Sequence, residues 1–238
     1  MLSADSNNPD RLGDGDVDDM YRLFIRYYTH VTRQQFVDDL RSKDTVIMLR
    51  DQRAKIRGFS TLSVGEFDLD QGPVRVVFSG DTVIDRKHWG SQVFAAAWIR
   101  QIGHIAAQAP NLKHYWLLIV KGHRTYRYLP TFAHKFVPDW RCPARTDLDE
   151  TKDIIAAAMF GKCYDADNSI VRFEESRGQL APDLAEPSRR EAQREDVKFF
   201  LQSNPGYVNG DELVCLCEID AMNMKPFARR IFEQTAAC

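Results

Sequence analysis

Apolar positions recur along this chain at two periods, one helical and one extended. Val17, Met20, Tyr21, Phe24 and Tyr28 fall at helical spacing and predict an amphipathic helix. A second helix, running to about Arg41, has a complete start signal. Thr32 is placed to cap it, Gln35 completes a capping box, and Val31 and Phe36 occupy the two hydrophobic-staple positions. The pattern then changes period. Residues 45–49 and 56–64 read as two strands of an antiparallel hairpin, separated by the polar 50–55 turn. After Gln71-Gly72-Pro73 comes the longest extended run, 74–84.

The turn 85–91 leads into a long helix beginning near Gln92, with Phe94, Trp98, Ile102 and Ile105 on one stripe and a stop at Ala109-Pro110-Asn111. Residues 115–120 form a second buried strand. Tyrosine-bearing residues 126–136 then predict a helix that Pro130 shortens or kinks. Strand, turn, helix, strand is a βαβ unit, whose crossover sets two parallel strands side by side.

Beyond Trp140 the pattern predicts a helix at 153–160, a short strand at 169–173, and a charged, proline-containing excursion at 174–190. A capping box at Ser188–Glu191 opens a helix to about Leu201; 211–219 is a strand and 224–234 a closing helix. Residues 1–16, rich in Asp, Asn and Gly, read as a disordered or loosely attached arm. Residues 17–238 read as a single domain with an irregular, helical extension at about 150–210.

Composition changes this picture at two points. The net charge of −2 excludes a broadly basic nucleic-acid binder, yet residues 113–145 carry seven Lys or Arg against one acid, Asp139. Such a segment suits phosphate or an acidic partner surface. Five cysteines without a CxxC pair suggest a reduced, cytoplasmic protein. No apolar run approaches the roughly 18 residues of a membrane span. The acids at 14, 16 and 18 begin like a calcium loop, but Asp19 and Ile25 stand where its glycine and closing glutamate belong. The six histidines show no zinc spacing, so no metal is expected.

The element order helix, helix, three strands, helix, strand, helix, two strands resembles the GCN5-related N-acetyltransferase (GNAT) superfamily. Its most specific part is Thr82-Val-Ile-Asp-Arg-Lys-His-Trp-Gly-Ser91 passing from strand into helix, followed by a later strand and a tyrosine-bearing helix. The resemblance implies an α/β (α+β) fold with a central, strongly twisted mixed sheet of six to seven strands flanked by helices. It implies two splayed parallel strands that take the pantetheine arm of an acyl donor, with the pyrophosphate on amides of the turn. Against the family's Q/R-x-x-G-x-G/A turn, Trp89, Gln92 and Phe94 stand where a basic or amide residue, a glycine and a small residue belong.

From that resemblance the expected donor is acyl-CoA or a phosphopantetheine-linked acyl carrier protein, the latter docking on 113–145. The acceptor is a small-molecule or peptide amine. Donor-binding candidates are Val83, Ile84, Arg86, Lys87, Trp89, Gly90, Ser91, Gln92, Lys121 and Arg124. Acyl transfer needs a base for the ammonium, donors for the oxyanion and an acid for the thiolate. Asp81 and His88 are the candidate bases, backbone amides near Ile84 the oxyanion donors, and Tyr126 and Tyr128 the candidate acids. A non-catalytic ligand- or partner-binding protein of the same fold is the alternative. The alternation Tyr126-Arg127-Tyr128 makes a nucleic-acid module a distant third. A homodimer is compatible with all three.

Overall fold

The computed structural model describes residues 1–236. In chain order the strands and helices are β1 (Ser3–Asn7), α1 (Asp14–Phe24), β2 (Tyr28–Thr29), α2 (Arg33–Arg41), β3 (Thr45–Arg50), β4 (Ile56–Leu69) and β5 (Gly72–Ile84). The crossover helix α3 (Gln92–Ala107) leads to β6 (Lys113–Val120), then α4 (His123–Tyr126) and α5 (Tyr128–Phe132). The remainder comprises α6 (Asp147–Phe160), β7 (Tyr164–Asp165), β8 (Ile170–Val171), β9 (Gln179–Leu180), α7 (Pro182–Ala185), α8 (Glu195–Ser203), β10 (Glu212–Glu218) and α9 (Pro226–Ala236). One mixed sheet runs in the order β1-β3-β4-β5-β6-β10-β8-β7, and β2 pairs with β9 in a separate ribbon. Only β5 and β6 pair in parallel, among the described strands.

Strand alternation divides the core. Val46 and Met48 of β3 face α1 and α2 with Phe24, Phe36, Phe59 and Val83. Ile47 and Leu49 face the opposite layer, where Phe94, Trp98, Ile102 and Ile105 of α3 meet Ile231 and Phe232 of α9. Under the far half of the sheet, Ile155 of α6 covers Val74, Val76, Leu117, Val214 and Leu216. The stripe foreseen on α3 is therefore entirely buried. The capping box on α2 forms as expected: Gln35 N–H donates to Thr32 Oγ1 at 3.2 Å, and Thr32 N–H donates to Gln35 Oε1 at 2.9 Å.

Four expectations are corrected. Residues 1–16 are not a loose arm: residues 3–7 pair antiparallel with β3 at the sheet edge, and α1 already starts at Asp14. Ladder bonds need no apolar side chains, so a polar edge strand carries little hydrophobic signal. Tyr28 lies beyond α1, which ends at Phe24. The chain there turns to bond the segment around β9, with Ala181 N–H donating to Tyr27 O at 2.8 Å, while the Tyr28 ring still stacks on Phe24. The 126–136 helix is two short helices, because Pro130 lacks the N–H that would reach back to Tyr126. The Ser188 capping box forms, but it opens only a single 3-10 turn at 191–193 before α8.

Candidate functional site

Parallel pairing of β5 with β6 runs from Val74–Lys113 to Ser79–Leu118 and then stops. Beyond it, β5 continues against β4 to Ile84, and β6 continues against β10 to Val120. The cause is a β-bulge: Ser79 pairs with Leu62 and Thr82 with Ser60, so Gly80 and Asp81 together oppose Thr61. The extra residue bends β5 away from β6. Glycine is required at 80, where a Cβ would lie 2.5 Å from Thr61 Oγ1 and 2.8 Å from Lys43 Cε. Asp85 N–H donates to Arg57 O, so by ladder alternation the backbone groups of Thr82 and Ile84 turn away from β4, into the gap.

That gap is part of a cavity of about 630 Å³. Gly80, Thr82 and Ile84 line it from β5, and Leu118 and Ile119 from β6. Its walls come from both core layers, Tyr27 and Leu184 from one and Phe94, Trp98 and Trp116 from the other, so it passes through the sheet at the bulge. The wall hydroxyls near the sheet satisfy each other or a neighbour. Ser60 and Thr82 share a 2.7 Å hydrogen bond, and Trp116 Nε1 donates to Ser79 Oγ at 2.8 Å.

The mouth is the turn before α3. The Asp85 carboxylate caps the 86–88 turn by accepting from Lys87 N–H, and pairs with Arg26 at 3.3 Å. Gly90 takes a left-handed φ of 78°, and Ser91 gives α3 no side-chain cap. The amides of Gly90, Gln92, Val93 and Phe94 have no hydrogen-bond acceptor among the described residues. Gln92 is exposed, and Phe94 is buried in the α3 layer with its side chain away from the turn. Trp89 does not plug the turn either. Its indole folds back to donate to Ile84 O at 2.8 Å, between the guanidiniums of Arg86 and Arg124 at 5.7 and 5.5 Å from the ring centroid. Three free amides at a helix start favour an anion, while the two arginines beside them are already paired, Arg86 with Asp183 and Arg124 with Glu191.

Asp81 is half-buried on the bulge and makes no hydrogen bond or ion pair among the described residues. Burial and the like charge of Asp39 push its carboxyl up to about 7, against the pull of Lys121 and Lys43. Tyr28, beside it, lines the cavity. Burial first, then the charges of Asp81 and Glu212, raise the phenol, and its hydroxyl has no hydrogen-bond partner among the described residues. Tyr128 also lines the cavity, its phenol raised by burial.

The other residues singled out from sequence are placed differently. Tyr126 is wholly buried outside the cavity, donating to Pro138 O at 2.7 Å within a ring of Phe136, Trp140, Phe199 and Phe200. His88 sits on the 86–88 turn and does not line the cavity. Lys121 is an anchor, donating to Arg177 O at 2.7 Å and pairing with buried Glu212 at 3.3 Å. Arg86 pairs with Asp183, and Lys87 is exposed outside the cavity. Val83, Ile84, Trp89, Gly90, Ser91, Gln92 and Arg124 all line the cavity. Sequence reasoning missed Tyr27, Tyr28, Leu180, Leu184 and Glu191. These come from the end of α1 and from the excursion that β9 and α7 fold across the slot, where Arg124 Nη1 donates to Leu184 O at 2.7 Å and pairs with Glu191 at 3.0 Å.

The basic segment is largely neutralised. Besides Lys121 and Arg124, Arg127 pairs with Asp196, Arg141 with Asp139 and Arg145 with Asp153. Five of its seven cations thus have acidic partners. Among the described residues there is no group of three or more His, Cys, Asp or Glu that could hold a metal, and no helix long and apolar enough to cross a membrane.

No family model matches the sequence, and no curated protein matches it. Solved structures are similar at low identity. An Enterococcus faecalis protein described as a probable N-acyltransferase is 11% identical with a TM-score of 0.42, over 57% of this chain and 33% of its own. This chain thus matches only a third of that protein's length. A Trypanosoma brucei acetyltransferase is 17% identical, TM-score 0.39, over 62% of this chain and 100% of its own. A GNAT family N-acetyltransferase from Escherichia coli in complex with CoA is 15% identical, TM-score 0.35, over 56% and 69%. The strand order, the parallel pair parted by a bulge and the helix that starts at its open end agree with the arrangement that the resemblance to the GNAT superfamily implies.

Proposed function

We propose that this protein transfers an acyl group from acyl-CoA to an amine by direct attack on the thioester. The observation that carries this reading is the slot between β5 and β6. It is open along a strand edge where Thr82 and the Ile84 N–H face the gap while Ile84 O is held by the Trp89 indole, and it ends at uncapped amides. Pantetheine carries two amides that match such an edge, and a pyrophosphate suits the free amides at the start of α3. Coenzyme A is favoured over a carrier protein, because the basic segment that would have recruited a carrier is already paired with this chain's own acids.

In this reading Asp81 is the base. A carboxyl titrating near 7 is half ionised at neutral pH and takes a proton readily. It accepts one proton from the attacking ammonium, and the nitrogen lone pair forms the new C–N bond. The Ile84 N–H, facing the slot, donates to the oxyanion as the tetrahedral carbon forms. The carbonyl then re-forms, the C–S bond breaks, and Tyr128 gives its hydroxyl proton to the departing thiolate; the second proton lost by the nitrogen restores the Tyr128 hydroxyl, and Asp81 returns its proton to solvent. Its raised phenol stays protonated at neutral pH, so the proton is available. The cavity passes through the sheet, so the donor enters from the α3 side and the acceptor from the side of Tyr27 and Tyr28. Tyr128 lines it, while Asp81, between the lining residues Gly80 and Thr82 but not itself in the wall, takes the proton through a bridging water.

Incubation with acyl-CoAs and a panel of amines, followed by mass spectrometry, tests this. Loss of thioester with matching amide is the expected result. Absence of turnover with every donor, together with absence of binding, would overturn it.

A further inference from the structure

We infer that the acyl group this site takes is longer than acetyl: a straight, apolar chain of medium length. The inference rests on the acyl-CoA reading and concerns the inner end of the same cavity. Along α3, Gln92 is at the mouth, whereas Trp98 lies six residues further in, about 9 Å deeper at the helical rise. Around and beyond it the walls are Ser79, Phe94, Trp98, Trp116, Leu118 and Phe227.

The chemistry of that inner chamber is the argument. Its one hydroxyl, Ser79 Oγ, already accepts the Trp116 indole N–H at 2.8 Å. The Ser60 and Thr82 hydroxyls nearer the slot are bonded to each other at 2.7 Å. Thr131 donates to Arg127 O at 2.7 Å. The chamber therefore presents mostly aromatic and aliphatic surface, with the Ser79 O–H the one donor left on these walls. Water there lacks the two to four polar partners it needs, so filling the space with hydrocarbon is favoured over leaving it wet. The polar arm of the donor has its partners elsewhere, at the Thr82 and Ile84 backbone and at the α3 amides. A thioester at the bulge, where Asp81 stands, then directs its acyl chain past Ser79 into the chamber. An acetyl group at the bulge fills only the first part of that space, next to Ser79 and Trp116.

The test is a chain-length series of acetyl-, butanoyl-, hexanoyl-, octanoyl- and decanoyl-CoA, measuring both kcat/KM and the rise in Tm on binding. Each added methylene that enters the chamber should raise kcat/KM about fourfold until the space is full. Ala95→Leu, which adds volume to the cavity wall, should move the optimum to shorter chains, and Phe227→Ala to longer ones. A flat series, or one that peaks at acetyl-CoA, overturns the inference and leaves the acyl-CoA reading standing. An optimum unmoved in both variants overturns it too, because the chain then lies elsewhere. If no donor of any length is bound or turned over, the acyl-CoA reading itself falls, and this inference with it.

Discussion

In the proposed chemistry two side chains act, Asp81 and Tyr128, and they were unequally legible. Asp81 could be found from sequence because it stands out as a carboxylate in an apolar strand. Its raised pKa could not, because Asp39, Lys43, Lys121 and Glu212 converge on it from four other elements. A carboxyl whose folded pKa exceeds its unfolded value holds its proton more tightly when folded. The stability it gives is complete below about pH 4 and is lost as pH rises toward 7. Asp81→Asn should therefore raise stability at pH 8 by about 1–3 kcal/mol, after discounting for partial exposure. The gain should vanish near pH 4, and turnover should fall at least a hundredfold. Denaturant melts at both pH values and a rate assay check this; a loss of stability at pH 8 would contradict it. In the wild type, turnover should fall tenfold per pH unit below about 7.

Tyr126 and Tyr128 were indistinguishable in sequence, two positions apart on one predicted helix. The break at Arg127 and the aromatic ring around Tyr126 separate them. Tyr128→Phe should slow turnover at least tenfold with stability nearly unchanged. Tyr126→Phe should leave the rate alone and cost about 1–2 kcal/mol, because Pro138 O loses its donor. Steady-state kinetics and urea melts of both variants decide it, and the reverse pattern would refute the assignment.

Among elements, α1, the capped α2 and α3 were legible from one apolar face at the helical period, and β5 and β6 from continuous apolar runs, because both faces of these central strands are buried. The bulge was not, since a two-for-one mismatch depends on how β4 and β5 register and leaves no local mark beyond Gly80 itself. Nor was the 174–190 excursion, whose fold depends on backbone bonds to Tyr27 and Arg124 far away in sequence. The bulge makes a specific prediction. Gly80→Ala drives a methyl against Thr61 Oγ1 and should destabilise by about 1–3 kcal/mol. Thr61 Oγ1 is buried with no hydrogen-bond partner, so Thr61→Ala should be nearly neutral, and the double variant should recover much of the loss. Additive losses in that cycle would mean that Gly80 is needed for another reason.

For the whole molecule, the local basic excess was real as a count and misleading as a surface. Sequence shows seven cations near one acid, but the acids that neutralise them come from 139, 153, 191, 196 and 212, brought in by tertiary structure. The same holds for the turn before α3. By residue type Trp89, Gln92 and Phe94 are wrong for a phosphate-binding turn, yet one folds back, one faces solvent and one packs into the core, leaving the amides clear. Whether the slot receives an acyl donor is the claim on which the rest depends. Amide hydrogen–deuterium exchange with and without coenzyme A tests it and locates the ligand at once. The account predicts slowed exchange in peptides spanning 80–84 and 90–95, where the strand edge and the α3 amides gain partners. Unchanged exchange in both segments at saturating coenzyme A would contradict it.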